Sequence, residues 1–190
     1  MPGSKERADP TPERLLAIYL NDHLTGSNAG VELIRRIARQ HRGTRVSPEL
    51  ERLAREIAED RESLREIMTA LDVPLMYGRA ALGWAAEKAG RLKFNGTVVK
   101  RSPLSDVIEL EAMRMGVEGK ADCWRSLQGV ATSDARVDRA SVDRLLERAE
   151  RQAGTLQSMR TAAADSRFAP AGPRAAAPGT ARRHLRGRPA

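Results

Sequence analysis

The sequence predicts an all-α protein, on three observations. Apolar residues recur at helical spacing through four long segments, and hydroxyl–proline pairs stand at three of the segment starts. The composition agrees: 41% apolar and 31% charged with only 3% aromatic, the balance of a helical chain rich in Ala, Leu, Arg and Glu. At 190 residues the chain is long enough for one domain with a sizeable core and too short for two comfortable ones.

The elements follow in order. Thr11-Pro12, Ser47-Pro48 and Ser102-Pro103 each set a hydroxyl N-cap before a proline at the first helical position. There the hydroxyl accepts an orphan N–H, and proline has none to leave unsatisfied. A fourth start lies near Ser133-Asp134, and Gly43 and Asn95-Gly96 mark stops. These signals predict helices over 12–42, 48–71, 103–130 and 135–164. The first, third and fourth reach about 40–47 Å at 1.5 Å per residue, lengths normal for a bundle. Residues 1–11 form a polar, disordered lead-in, 12–164 the bundle domain and 165–190 a disordered basic tail of Ala, Pro and Arg.

The connections order the helices. Gly43 to Ser47 is short enough to make the first two an antiparallel hairpin, and Ala131 to Asp134 does the same for the last two. Between the hairpins, residues 72–101 can run back along the bundle. This crossover includes a helix from Pro74 to Phe94, whose Gly78, Ala81, Ala85 and Ala89 permit close approach.

Several function classes are excluded or disfavoured. No stretch approaches the roughly 20 apolar residues that span a bilayer, so no membrane role is expected. The polar N-terminus lacks the apolar core of a signal peptide, and cytoplasmic is the expected location. The single cysteine, Cys123, permits neither an intrachain disulfide nor a cysteine cage for metal, and reads as a small buried hydrophobe. No phosphate-cradling glycine loop, nucleophile elbow or zinc spacing occurs. The net charge of +8 is uneven: residues 161–190 hold six arginines against one acid, Asp165, which leaves +3 for the rest.

Hairpin, long crossover, hairpin: over about residues 12–164 the chain resembles the ferritin-like superfamily of four-helix bundles. It is also similar to a group of actinobacterial proteins through YLNDHLTGSNAGVEL, EIAEDRESLREIM and SPLSDVIELEAM, a likeness that points to a bacterial source and brings no activity with it. The first resemblance implies an up-down bundle of two antiparallel hairpins. It also implies a di-metal site, built from a Glu on each of two helices and a Glu-x-x-His on each of the other two.

The helical stripes test that set. At about 100° per residue, the inward polar residues are His23, Glu56, Asp60, Glu109, Lys120 and Gln152. His23 falls in the stripe of Leu16, Leu20, Ser27, Val31, Ile34 and Ala38, whereas Asp60 sits amid Leu53, Ile57, Leu64 and Met68 with Glu56 at the edge. Glu109 and Lys120 lie in the wide apolar arc of the third helix, and Gln152 beside Arg148 on the fourth. No Glu-x-x-His occurs, and the other histidines are His41 and His184. His23, Glu56, Asp60 and Glu109 could ligate one divalent metal, but counting back from the first turn sets Asp60 opposite Gly30 and His23 roughly 10 Å away along the axis.

Each candidate also has a structural reading. His23 reads as a core histidine, and Asp60 as paired with an inward Arg or Lys or with Ser27, since a lone buried carboxylate is costly. Glu109 is expected on Lys120 or on a crossover base (Lys88, Arg91, Lys93), and the basic run Lys88 to Arg101 as a solvated face. Met68, Met113, Met115, Trp84 and Trp124 read as core filling. Buried polar groups of this kind can fix helix register.

The function expected is therefore that of a metal-free ferritin-like bundle, a binding or structural protein rather than an enzyme. It needs no cofactor and has a long helix face open to a homodimer. The alternative is a ferritin-like iron or manganese protein of oxidase or storage type on His23, Glu56, Asp60 and Glu109. A second alternative is nucleic-acid association through the tail. Genome composition is the preferred account of the tail, since Ala, Arg, Gly and Pro have GC-rich codons.

Overall fold

A computed structural model describes residues 9–76, 102 and 104–169. Four helices carry almost all of them: α1 (Pro12–Gln40), α2 (Ser47–Ala70), α3 (Ser105–Val130) and α4 (Arg139–Phe168). No strand occurs among the described residues, and no described helix is long and apolar enough to cross a membrane.

The helix starts show which caps the chain uses. Thr11 has the extended backbone of an N-cap, and its Oγ1 accepts the Arg14 N–H at 3.4 Å, with Pro12 next in line. Ser47 departs from the expected pattern. Val46 takes the cap position with helical φ and ψ, so α2 runs straight out of the preceding turn. Ser47 becomes its first residue, and its hydroxyl donates to Glu51 Oε1 at 3.1 Å. Ser102 likewise closes a turn, accepting the Leu104 N–H at 3.3 Å, and α3 begins at Ser105 rather than 103.

The fourth helix starts later than Ser133-Asp134. Asp134 Oδ1 accepts the Arg136 N–H within the loop, and Asp138 is the cap, its carboxylate accepting from Ala140 N and Ser141 N at 3.2 and 3.1 Å. At its other end α4 continues to Phe168, four residues past the expected limit. α1 ends at Gln40, two residues before the expected 42, and Gly43 takes the positive φ of 75° that the turn requires.

Contacts between elements fix the directions. Tyr19, early in α1, meets Ser126 late in α3 (hydroxyls 3.1 Å apart), while His41 just past α1 meets Asp106 early in α3 at 3.3 Å. α1 and α3 are therefore antiparallel. Glu59 of α2 pairs with Arg148 of α4 at 3.1 Å, and Glu56 with Gln152 at 3.0 Å, so these two run antiparallel as well. One pole of the bundle gathers the α1–α2 turn, the start of α3 and the end of α4. The opposite pole gathers the start of α1, the end of α2 and the α3–α4 loop, where Arg136 reaches Asp72 at 3.1 Å.

One core runs between all four helices. Leu20, Ile34, Leu50, Leu53, Met68, Met113, Trp124, Leu127, Val142 and Leu156 are within it, each almost fully buried. Cys123 is buried there too, and burial pushes its thiol up to about 12, which keeps it protonated and inert. Met115, expected in the core, is instead 65% exposed. It lies two residues from Met113, so about 200° around the helix separates the two side chains.

The expected crossover helix, Pro74 to Phe94, falls outside the described residues from 77 onward, as do Gly78, Ala81, Trp84, Ala85, Ala89 and the run Lys88 to Arg101. Its first three residues, 74–76, are not helical. Asn21 of α1 holds them: its amide donates to Pro74 O at 3.1 Å, and its carbonyl accepts the Met76 N–H at 2.7 Å. The chain thus leaves α2 pinned against α1.

Candidate functional site

The helix faces bring four of the six inward candidates together, Glu56, Asp60, Lys120 and Gln152, and add Arg148 to them. Asp60 stands in the apolar stripe of α2, between Ile57 and Leu64, and its side chain is wholly buried. Lys120 reaches it from α3, and Arg148 and Gln152 from α4, one turn apart.

Both oxygens of Asp60 are committed. Oδ2 accepts from the Lys120 ammonium and from Gln152 Nε2 at 3.2 Å, while Oδ1 faces the Arg148 guanidinium in an ion pair outside hydrogen-bond geometry. Gln152 links the groups. Its Oε1 accepts from Lys120 Nζ at 2.5 Å, and its Nε2 also donates to Glu56 Oε2 at 3.0 Å. Arg52, one turn before Glu56 on α2, donates to Glu56 Oε1 at 2.5 Å, and Arg148 splits its guanidinium between Asp60 and Glu59. Two carboxylates and two inward cations give a core set of no net charge, with Arg52 and Glu59 extending it to the surface.

The electrostatics follow from burial. Desolvation pushes the Lys120 ammonium below its ordinary value, and the adjacent Asp60 carboxylate opposes that shift. Burial works against the charge of Glu56 too, but hydrogen bonds from Gln152 and Arg52 outweigh it and hold the carboxyl below its usual range. Lys120 donates to both Asp60 and Gln152, and each Asp60 oxygen faces a cation. The arrangement is suited to holding three helices in one register.

The remaining candidates lie elsewhere. His23 is half-buried on α1, its ring in an edge-on contact with Tyr19 (centroids 4.5 Å apart, planes at 67°). Burial lowers its affinity for a proton, with Asp22 and Asp122 acting the other way. Glu109 pairs with Arg36 of α1 at 3.4 Å, near the pole with the α1–α2 turn, and Lys120, expected as its partner, is engaged with Asp60 instead. Ser27, the other expected partner of Asp60, donates to its own helix at Leu24 O. Gly30 does not face Asp60 across open space. A Cβ there would meet Met113 Cε at 3.7 Å.

A divalent metal needs several oxygen or imidazole ligands converging on one point. Around Asp60 the places such ligands would take are filled by an ammonium, a guanidinium and a carboxamide. No group of three or more His, Cys, Asp or Glu side chains able to hold a metal ion occurs among the described residues. The set His23, Glu56, Asp60 and Glu109 is not brought together, and the side chains present do not fit the di-metal site of the ferritin-like pattern.

Sequence reasoning placed Arg148 beside Gln152 without giving it a partner, and it passed over Asn21, which sits beside Leu20 and outside the counted stripe. The i+4 pair Arg148 and Gln152, facing an acid at the centre of another stripe, was the available signal for the first. Nothing local marks Asn21, because its partners Pro74 and Met76 are more than fifty residues away. No family model, curated protein or solved structure matches the chain.

Proposed function

We propose that the chain is a metal-free, ferritin-like bundle of the bacterial cytoplasm that works as a binding or structural protein rather than as an enzyme. The observation that carries this reading is the commitment of Asp60. The one fully buried carboxylate among the described residues is neutralised by Lys120 and Arg148, the residues that would repel a metal cation from the same place. The run of the helices, two antiparallel hairpins with α1 beside α3 and α2 beside α4, supports the ferritin-like likeness. In this reading the polar interior selects one pairing of the hairpins, a role such groups play in some bundles.

Metal analysis of the full chain purified from its native host tests the proposal. The expected result is less than one-tenth equivalent of iron or manganese, unchanged in Asp60→Ala. Stoichiometric iron or manganese that disappears in Asp60→Ala would overturn it in favour of an oxidase or storage protein.

A further inference from the structure

The overall charge hides a concentration at one pole. Residues 35–55, the end of α1, the turn and the start of α2, hold seven arginines against Glu49 and Glu51, a net +5. Residues 170–190 hold five arginines and no acid, another +5, so the rest of the chain carries −2 of the total +8. Arg167 near the end of α4 lies 3.4 Å from Asp106, the same residue that His41 meets just past α1. The end of α4 therefore lies at the pole that holds the α1–α2 turn.

On the flank of that turn the arginines line a shallow groove. Arg35, Arg39 and Arg42 follow one another on one face of the α1 end, Arg55 stands across on α2, and Ala38 and Ala54 form the floor. Arg39, Arg42, Arg45 and Arg55 are exposed and have no ion pair among the described residues. Glu51, the one acid of the groove, accepts from Ser47. Arg35 of the groove pairs with Glu32 at 3.6 Å. Most arginines elsewhere on the described surface are matched, as Arg65 is by Glu62, Arg114 by Glu118 and Arg125 by Asp122 and Glu150, with Arg14 the exception. Unmatched guanidiniums gathered in one place repel each other, and a polyanion relieves that repulsion.

We propose that this arginine-lined flank of the α1–α2 hairpin binds the phosphate backbone of nucleic acid. Apart from His41, every basic residue of 35–55 is arginine, whose planar fork suits phosphate bidentately. The groove runs along the side of the hairpin for about 10 Å, from Arg35 to Arg42. A strand of phosphates can follow a flank, whereas a flat anionic bilayer meets only the tip. No aromatic side chain lines the groove, so the contact is with backbone and independent of sequence. This deepens the reading of a binding bundle by naming its partner. It rests on surface arginines and not on Asp60, so metal analysis and the titration below fail separately.

The test is fluorescence anisotropy of a labelled 20-base-pair duplex of arbitrary sequence with the full chain, from 50 to 200 mM salt. Binding that weakens steeply with salt is expected. Arg39→Glu/Arg42→Glu/Arg55→Glu should weaken binding at least tenfold at 100 mM salt and flatten the salt slope by about three phosphate contacts. Arg39→Gln/Arg42→Gln/Arg55→Gln should do so more mildly, and Arg65→Gln/Arg114→Gln not at all, with helical content by circular dichroism unchanged in each. Wild-type affinity in the glutamate variant would overturn the proposal. So would a wild-type chain that floats with phosphatidylserine vesicles yet shows no salt-dependent binding to duplex.

Discussion

Asp60→Ala removes the anion shared by Lys120 and Arg148 and leaves both cations in a site closed to solvent on most sides. Removing one side of a buried ion pair costs about 3–5 kcal/mol, and urea denaturation should show a loss in that range. Lys120→Met is expected to cost less, about 1–2 kcal/mol, because Asp60 keeps Arg148 and Gln152. Equal losses in the two variants would mean that Arg148 does not neutralise Asp60. His23 sets a pH dependence of definite sign. Burial holds its folded value below the ordinary 6.5, so between those two values the unfolded chain binds more protons. Its contribution is therefore present above pH 6.5 and lost as pH falls through the folded value. Urea denaturation from pH 7 to 5 should show stability falling with acid, with a shallower fall in His23→Gln; identical slopes would remove His23 as the cause. At this scale the sequence showed which side chains point inward, because 100° per residue is a local rule. It left the partner of each undecided: Lys120 was as eligible for Glu109 as for Asp60, and only the rotation of α3 against α2 separates the two.

The helix termini were legible where a cap is a side-chain event and illegible where it is a matter of backbone. Thr11-Pro12 caps α1 as its residue types dictate, whereas Ser47-Pro48 has the same types but follows a turn whose last residue, Val46, is already helical. In the α3–α4 loop, Ser133, Asp134 and Asp138 all had suitable side chains, and the competition was decided by Asp134 folding back onto Arg136. Asp138 then satisfies two orphan N–H groups, helped by Ser141, whose hydroxyl donates to its Oδ2 at 2.5 Å. Asp138→Ala should cost about 0.5–2 kcal/mol by thermal or urea denaturation, and Asp134→Ala less than 0.5 kcal/mol, roughly the ordinary surface range. A larger loss in Asp134→Ala would assign the start of α4 to the earlier position that the sequence favoured. α2 shows the limits of periodicity in another way. Its stripe of Leu50, Leu53, Ile57, Leu64 and Met68 could be read directly, yet the pinning of its exit by Asn21 could not, since that bond joins α1 to a loop.

For the whole molecule the chain order of long and short connections was enough to pair the helices into hairpins, but it could not say how the hairpins face each other. The average charge likewise concealed a pole, because the net +5 of residues 35–55 is averaged with the rest of the chain. The two hairpins meet in two unlike ways. α1 and α3 approach closely along an apolar seam with polar pairs only at its rim (Tyr19–Ser126, Arg36–Glu109, His41–Asp106), whereas α2 and α4 are bridged by long polar side chains, Arg148 to Glu59 and Asp60 and Gln152 to Glu56. An apolar seam tolerates several registers, while a carboxylate that must meet an ammonium and a guanidinium at once tolerates one. Replacing the set with hydrophobic residues of similar size separates stability from specificity, as Asp60→Leu/Lys120→Met/Arg148→Met would do. Such replacements are often neutral or stabilising by about 1–4 kcal/mol, so the triple variant should unfold no earlier in urea than the wild type. If the network selects the pairing of hairpins, that variant should also elute partly as a dimer with exchanged hairpins and give broadened amide resonances. A variant at least as stable that stays a single sharp monomer would show that the apolar contacts of α1 with α3 select the pairing without help from Asp60.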